Sequence, residues 1–118
     1  MTRIVETELE ALDGLWESGL GEAYGAYLAG GGRPETALAA ALVEVAVRLQ
    51  GLGGAAASPP DLLRGDLCLA RASRLLAQNA GLTQQVAFAR TIEDAAAAAA
   101  AGRPLPPVRE RLLEALAA

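Results

Sequence analysis

The feature that most restricts this chain is how few bulky side chains it offers to an interior. Trp16, Tyr24, Tyr27 and Phe88 are its aromatic residues, 3% of the 118. Leu, Val and above all Ala must therefore fill any core. Each small side chain buries little area, so an alanine-built core needs backbones in close approach, as alanine-faced helices provide. No β-pattern, hairpin signal or internal repeat is visible. The expected fold is all-α: an antiparallel bundle of about five helices joined by short loops, in one domain over residues 1–118. A core this thin also favours added burial from a second chain, so a homo- or heterodimer is expected.

Apolar spacing places the elements. Val5, Leu9, Leu12, Leu15, Trp16 and Leu20 recur three and four apart, giving a helix over about Thr2–Leu20 that Gly14, Gly19 and Gly21 weaken at its end. A short helical piece, Glu22–Leu28, stops at Gly30-Gly31-Gly32. A second helix spans about Glu35–Leu52, with Pro34 in its first turn and apolar residues on more than one stripe, which marks a mostly buried helix. After a linker over 55–60, Ser58 and Pro59 open a third helix that runs to about Asn79. Thr83 is the expected N-cap of a fourth helix reaching Ala101, with Gly102 just past its end. Pro104, Pro106 and Pro107 stiffen the turn into a last helix, Val108–Ala117.

Charge and residue types narrow the chemistry. The net charge is −4, all basic residues are arginines, and histidine and lysine are absent. Without a basic stripe, nucleic-acid binding is not expected. Without histidine, the commonest general base and the commonest metal ligand are missing. Cys68 is the sole cysteine, which rules out an internal disulfide and a Cys/His zinc site; in the run Leu67-Cys68-Leu69-Ala70 it reads as a small buried hydrophobe. Glu6, Glu8 and Glu10 alternate, and Glu93-Asp94 are adjacent, so neither group aims two carboxylates at one metal. Ser18, Ser58 and Ser73 have no histidine or lysine to activate them. No metal, cofactor or catalytic residue is expected. Met1–Glu10 is charged and lacks an apolar core of the targeting type, and no apolar run is long enough to span a bilayer; a cytoplasmic protein is expected.

Two local features stand out. Gly30-Gly31-Gly32-Arg33 has the composition of a phosphate-cradling loop, yet it follows a helix and lacks a lysine, so a helix–helix turn is the simpler reading. Gly65-Asp66 sits inside the third helix, where glycine costs about 1 kcal/mol relative to alanine; close helix packing is the usual reason.

These features share an order with a known family. The segment from Leu28 through Gly30-Gly31-Gly32-Arg33-Pro34-Glu35 to Leu38 resembles the GGKRxRP segment of trans-polyprenyl diphosphate synthases. Gly65-Asp66-Leu67-Cys68-Leu69-Ala70-Arg71-Ala72 resembles that family's GDxLLxxA helix. Residues 39–54 resemble the helix that ends in the first aspartate-rich DDxxD motif, and Val86-Ala87-Phe88-Ala89-Arg90 onward resembles the helix after GDxLLxxA. Order and approximate spacing agree over about residues 20–102.

The resemblance implies the N-terminal part of the isoprenoid synthase fold. Members of the family condense allylic and isopentenyl diphosphates; aspartates hold magnesium, and a lysine and two arginines hold the isopentenyl diphosphate. Here Gly32 stands at the lysine, Arg33 is kept, and Glu35 replaces the second arginine. Gly53, Gly54 and neighbouring alanines stand where the first aspartates belong. The second aspartate-rich motif belongs to a later part of that fold. Magnesium needs carboxylates and diphosphate needs several cations, so the resemblance implies a non-catalytic relative with Arg33 as a vestigial diphosphate contact.

Some synthases of the family pair a small non-catalytic subunit with a catalytic one. By that analogy the expected function is a small, regulatory subunit of a heterodimeric polyprenyl diphosphate synthase, or an orphan dimer of the same shape. The implied interface lies on the helices bearing Leu67, Leu69 and Leu75 and Phe88 and Ile92. The alternatives are a general helical interaction module with no isoprenoid role, and a weak binder of a lipid or small molecule in an apolar cavity.

Overall fold

The computed structural model describes residues 14–51 and 58–118. The readings at Thr2–Asp13, including Glu6, Glu8 and Glu10, and at Leu52–Ala57, including Gly53 and Gly54, lie outside the described residues. Among the described residues, five α-helices follow a kinked turn at Trp16–Leu20, where Gly19 takes φ +126°: α1 (Gly21–Ala29), α2 (Pro34–Leu49), α3 (Pro59–Asn79), α4 (Leu82–Ala100) and α5 (Val108–Leu116). No strand occurs among the described residues. The fold is an all-α helical bundle.

Helix α2 is its centre. Pro34 supplies the first-turn φ, Glu35 faces the positive end of the helix dipole, and the Thr36 hydroxyl donates back to the Arg33 carbonyl at 3.3 Å. Every residue from Glu35 to Val47 is buried. Alanine makes this possible: Ala37, Ala39, Ala40, Ala41 and Ala46 let neighbours approach on several sides, while Leu38, Leu42 and Val43 fill the gaps. Each of those larger side chains contributes roughly 1.5–3 kcal/mol by burial. Helix α2 ends at Gly51, which takes φ +69°.

Helix α3 runs antiparallel to α2 and forms the most extensive helix pair of the fold. The Ser58 hydroxyl accepts from the Asp61 N–H at 3.3 Å, which caps the helix. Its buried face, Gly65, Cys68, Ala72, Leu75 and Leu76, recurs at three- and four-residue spacing. Gly65 explains itself in this packing. A Cβ there would meet the Gln50 Cγ at 2.6 Å, so glycine lets the end of α2 cross close to α3. Gln50 Nε2 then donates to Asp66 Oδ1 at 2.8 Å across the same crossing.

Helix α4 makes its main contacts with α5 and touches α2 and α3 only lightly. It begins at Leu82 with Gly81 as the capping residue, not at Thr83. No side chain caps this end, and the Gln85 N–H to Gly81 carbonyl bond at 3.1 Å starts the helix two residues ahead of the expected cap. At its other end Gly102 takes φ +67° and the Arg103 N–H reaches back to the Ala98 carbonyl, as expected of a glycine stop. Helix α5 returns antiparallel to α4. Gln84 Nε2 donates to the Leu116 carbonyl at 3.0 Å, and Arg111 pairs with Asp94 at 2.8 Å.

Candidate functional site

Among the described residues, a polar constellation inside the fold centres on Glu44. This residue lies between Val43 and Val45 on the buried helix α2 and is 6% exposed. The fully buried Tyr27 of α1 donates its hydroxyl to Glu44 Oε1 at 2.8 Å. From α5, Arg109 donates Nε to Oε1 and Nη2 to Oε2, both at 2.8 Å. Arg48, one turn along α2, donates to Oε2 as well. The other edge of the Arg109 guanidinium grips Glu22 of α1 at 2.9 and 2.6 Å, and its carbon lies 5.9 Å from the Tyr27 ring centroid. A bidentate Arg–carboxylate fork is among the stronger ionic contacts, and here one guanidinium makes two.

Electrostatics follow from that geometry. Burial alone would push the Glu44 carboxyl up. The hydrogen bonds from Arg109 and Tyr27 and the charges of Arg109 and Arg48 prevail and hold it below its ordinary value of 4.5. The Arg109 hydrogen bond likewise lowers exposed Glu22. Burial first, then the Glu44 hydrogen bond and charge, push the Tyr27 hydroxyl far up. Both Glu44 oxygens are thus occupied by donors of the same chain, and the arrangement ties α1, α2 and α5 together. Each Glu44 oxygen accepts two bonds, so Glu44 itself has no acceptor position left.

The glycine segment is a helix stop. Gly31 takes φ +96°, the Gly32 N–H donates to the Tyr27 carbonyl and the Gly31 N–H to the Leu28 carbonyl, each at 3.1 Å. This double bond pattern satisfies the last carbonyls of α1. Gly30 and Gly32 also make room for α5: a Cβ on Gly30 would meet Leu113 Cδ2 at 2.4 Å, and one on Gly32 would meet Leu116 Cδ1 at 3.1 Å. The Arg33 guanidinium donates to the Asn79 carbonyl at the negative end of α3. Arg33 therefore closes the α2–α3 pair at one end as Gln50 and Asp66 do at the other.

The residues implied as an interface fall into two sets. Leu75 and Phe88 are buried in the core of the chain itself, at 0% and 1% exposure. Leu69 and Ile92 are partly buried and pack against that core. Leu67 faces outward, in company with Leu62 and Leu63 on α3. Helix α4 adds Leu82 and Val86, exposed by 76% and 40%. Exposed apolar side chains on these two helices thus sit mostly at other positions than those implied, and Trp16 and Leu28 add 39% and 37% exposure outside them. Cys68 is fully buried and its thiol is pushed up to about 11, chiefly by burial, as expected of a packing residue. A shallow, open pocket of about 450 Å³ lies between the end of α4 and α5, where Asp94, Arg103 and Arg111 give it a charged rim unlike an apolar lipid chamber.

Sequence reasoning passed over Glu44 and Arg109. A signal existed for Glu44, a lone carboxylate in the middle of an otherwise apolar helix, which must find a donor if that helix is buried. Nothing in the sequence near Arg109 points to a partner 65 residues away. Among the described residues no group of His, Cys, Asp or Glu is placed to hold a metal ion, and no helix is long and apolar enough to cross a membrane. No protein-family model, curated protein or solved structure matches the chain.

Proposed function

We propose that the protein is a non-catalytic helical interaction module that acts by offering the outer faces of α3 and α4 to a protein partner. The observation that carries this reading is the exposure of Leu62, Leu63 and Leu67 on α3 and of Leu82 and Val86 on α4. Exposed large apolar side chains close together on a helix mark contact sites, and Leu62, Leu63 and Leu67 fall within two turns of α3 while Leu82 and Val86 are one turn apart on α4. The polar groups within the fold are engaged in holding helices together, Arg33 on Asn79 and Glu44 on Arg109. On this reading the protein works in the cytoplasm.

A more specific form of the proposal names the partner as a catalytic polyprenyl diphosphate synthase subunit, with this chain as its small subunit. The shared order of the Gly32-Arg33 and Gly65-Asp66 segments supports it. The engagement of Arg33 by a backbone carbonyl, with Glu35 beside it, favours the general module instead, because the same residues then have a purely architectural use. Co-expression with a full-length polyprenyl diphosphate synthase separates the two. The small-subunit form requires co-purification and an altered product chain length, both weakened by Leu63→Glu together with Leu67→Glu. Independent migration and an unchanged product refute that form.

A further inference from the structure

The outer face of α4 is complementary to itself, and this deepens the proposed function by naming a partner; it rests on that reading. With Phe88, Thr91, Ala95 and Ala98 turned into the core, the opposite side of the helix carries Leu82, Val86, Arg90, Glu93, Ala97 and Ala100, all exposed. Size changes along this stripe. Its first half carries Leu82 and Val86, and its second half carries Ala97 and Ala100. Charge changes at its middle, where Arg90 precedes Glu93 and neither side chain has a hydrogen bond or ion pair with the described residues, whereas nearby Asp94 is held by Arg111.

A two-fold axis midway between positions 90 and 93 turns these gradients into a match. In an antiparallel pair of α4 helices about that axis, Arg90 lies level with the partner's Glu93, and the reverse holds by symmetry. Val86 lies level with the partner's Ala97, and Leu82 with the partner's Ala100 and its neighbour, so each bulky side chain meets a small one. A parallel pair would instead set Arg90 against Arg90 and Val86 against Val86. We propose that a second copy of this chain occupies the α4 face in this antiparallel register, forming a two-fold dimer. One helix pair about 28 Å long, at 1.5 Å per residue, is a small interface beside the usual 1,200–2,000 Å² or so. The proposed dimer is therefore a weak, transient one.

Sedimentation equilibrium of the whole chain, wild type and charge variants, tests this, with circular dichroism to confirm that each variant is folded. Wild type is expected to pass from monomer to dimer in the micromolar range. Arg90→Glu and Glu93→Arg should each weaken self-association about tenfold or more by opposing like charges. A mixture of the two single variants should associate at least as well as wild type, since every level then pairs opposite signs. For orientation, Val86→Cys mixed with Ala97→Cys should form an interchain disulfide, while Val86→Cys alone should not. A wild-type chain that stays monomeric to about millimolar concentration overturns the dimer. Self-association indifferent to both charge changes overturns this face, and crosslinking of Val86→Cys with itself overturns the register. A monomer that still binds another protein through α3 refutes self-pairing and leaves the interaction reading intact.

Discussion

Replacing Glu44 by alanine should be the most damaging single polar substitution in the fold, and the cost can be worked from its contacts. The change leaves the Tyr27 hydroxyl without an acceptor inside a side chain that is 0% exposed, which costs about 1–3 kcal/mol. Arg109 loses two charge-assisted bonds but keeps Glu22 and is 34% exposed, so water and Glu22 recover most of the loss and leave about 1 kcal/mol. Arg48, 53% exposed, adds little. The total is about 2–4 kcal/mol. For a chain of 118 residues that lowers Tm by roughly 8–16 °C, using an unfolding entropy near 2.1 cal/mol/K per residue. Glu44→Gln retains an acceptor for Tyr27 and should cost about half as much; Tyr27→Phe should cost about 1 kcal/mol, since Glu44 keeps its arginines. Urea unfolding followed by circular dichroism at 222 nm reads all three. Glu44→Ala within about 0.5 kcal/mol of wild type would refute the claim that this carboxylate holds three helices, and so would Tyr27→Phe proving the costlier change.

The same cluster sets the acid limb of stability. Glu44 and Glu22 have lowered folded values, so the unfolded chain binds more protons; stability is held above about pH 4.5 and is lost as pH falls through those lowered values. Urea midpoints across the acid range should show a shallower loss in Glu44→Gln than in wild type. Cys68, pushed up to about 11 from 9.0, should react with a disulfide reagent at pH 8 about a hundredfold or more slower in the folded chain than in urea; equal rates would mean that α3 is not seated on α2. Gly31→Ala should destabilise by about 1–2 kcal/mol, because its φ of +96° suits only glycine although the space beside it is open; an unchanged urea midpoint would contradict the helix-stop geometry.

Much of the architecture was legible in the sequence because helix signals are local. Leu38, Leu42, Val45, Val47 and Leu49, on more than one stripe, announced a mostly buried helix, and the structure buries every residue from Glu35 to Val47 while Leu49 is half-buried. Ser58 and Gly102 mark helix ends through bonds within a few residues of themselves. Gly65 read as a close-packing glycine, and Gln50 is what it packs against. Thr83 misled because a capping residue type is no guarantee of a cap: the chain turns into the helix at Gly81, two residues earlier, and Thr83 lies inside it. Leu75 and Phe88 stood out as apolar residues on the two helices of interest, yet periodicity alone cannot say whether an apolar stripe meets its own core or a partner. Only the relative rotation of α3 and α4 against α2 decides that, and it turns those two side chains inward while leaving Leu63, Leu67 and Leu82 outside. The Glu44–Arg109 pair was illegible for a different reason, since it depends on how α5 folds back over α1 and α2.

The central claim is that the chain works through protein contact and that Arg33 is an architectural residue. Isothermal titration of the full chain with isopentenyl diphosphate in the presence of magnesium addresses it most directly. The account requires no saturable heat up to about millimolar ligand, in wild type and in Arg33→Ala alike, with Arg33→Ala showing only the stability loss of a missing helix-end contact, about 0.5–1 kcal/mol. Saturable micromolar binding that disappears in Arg33→Ala would contradict the account and make the Gly32-Arg33 turn a substrate site.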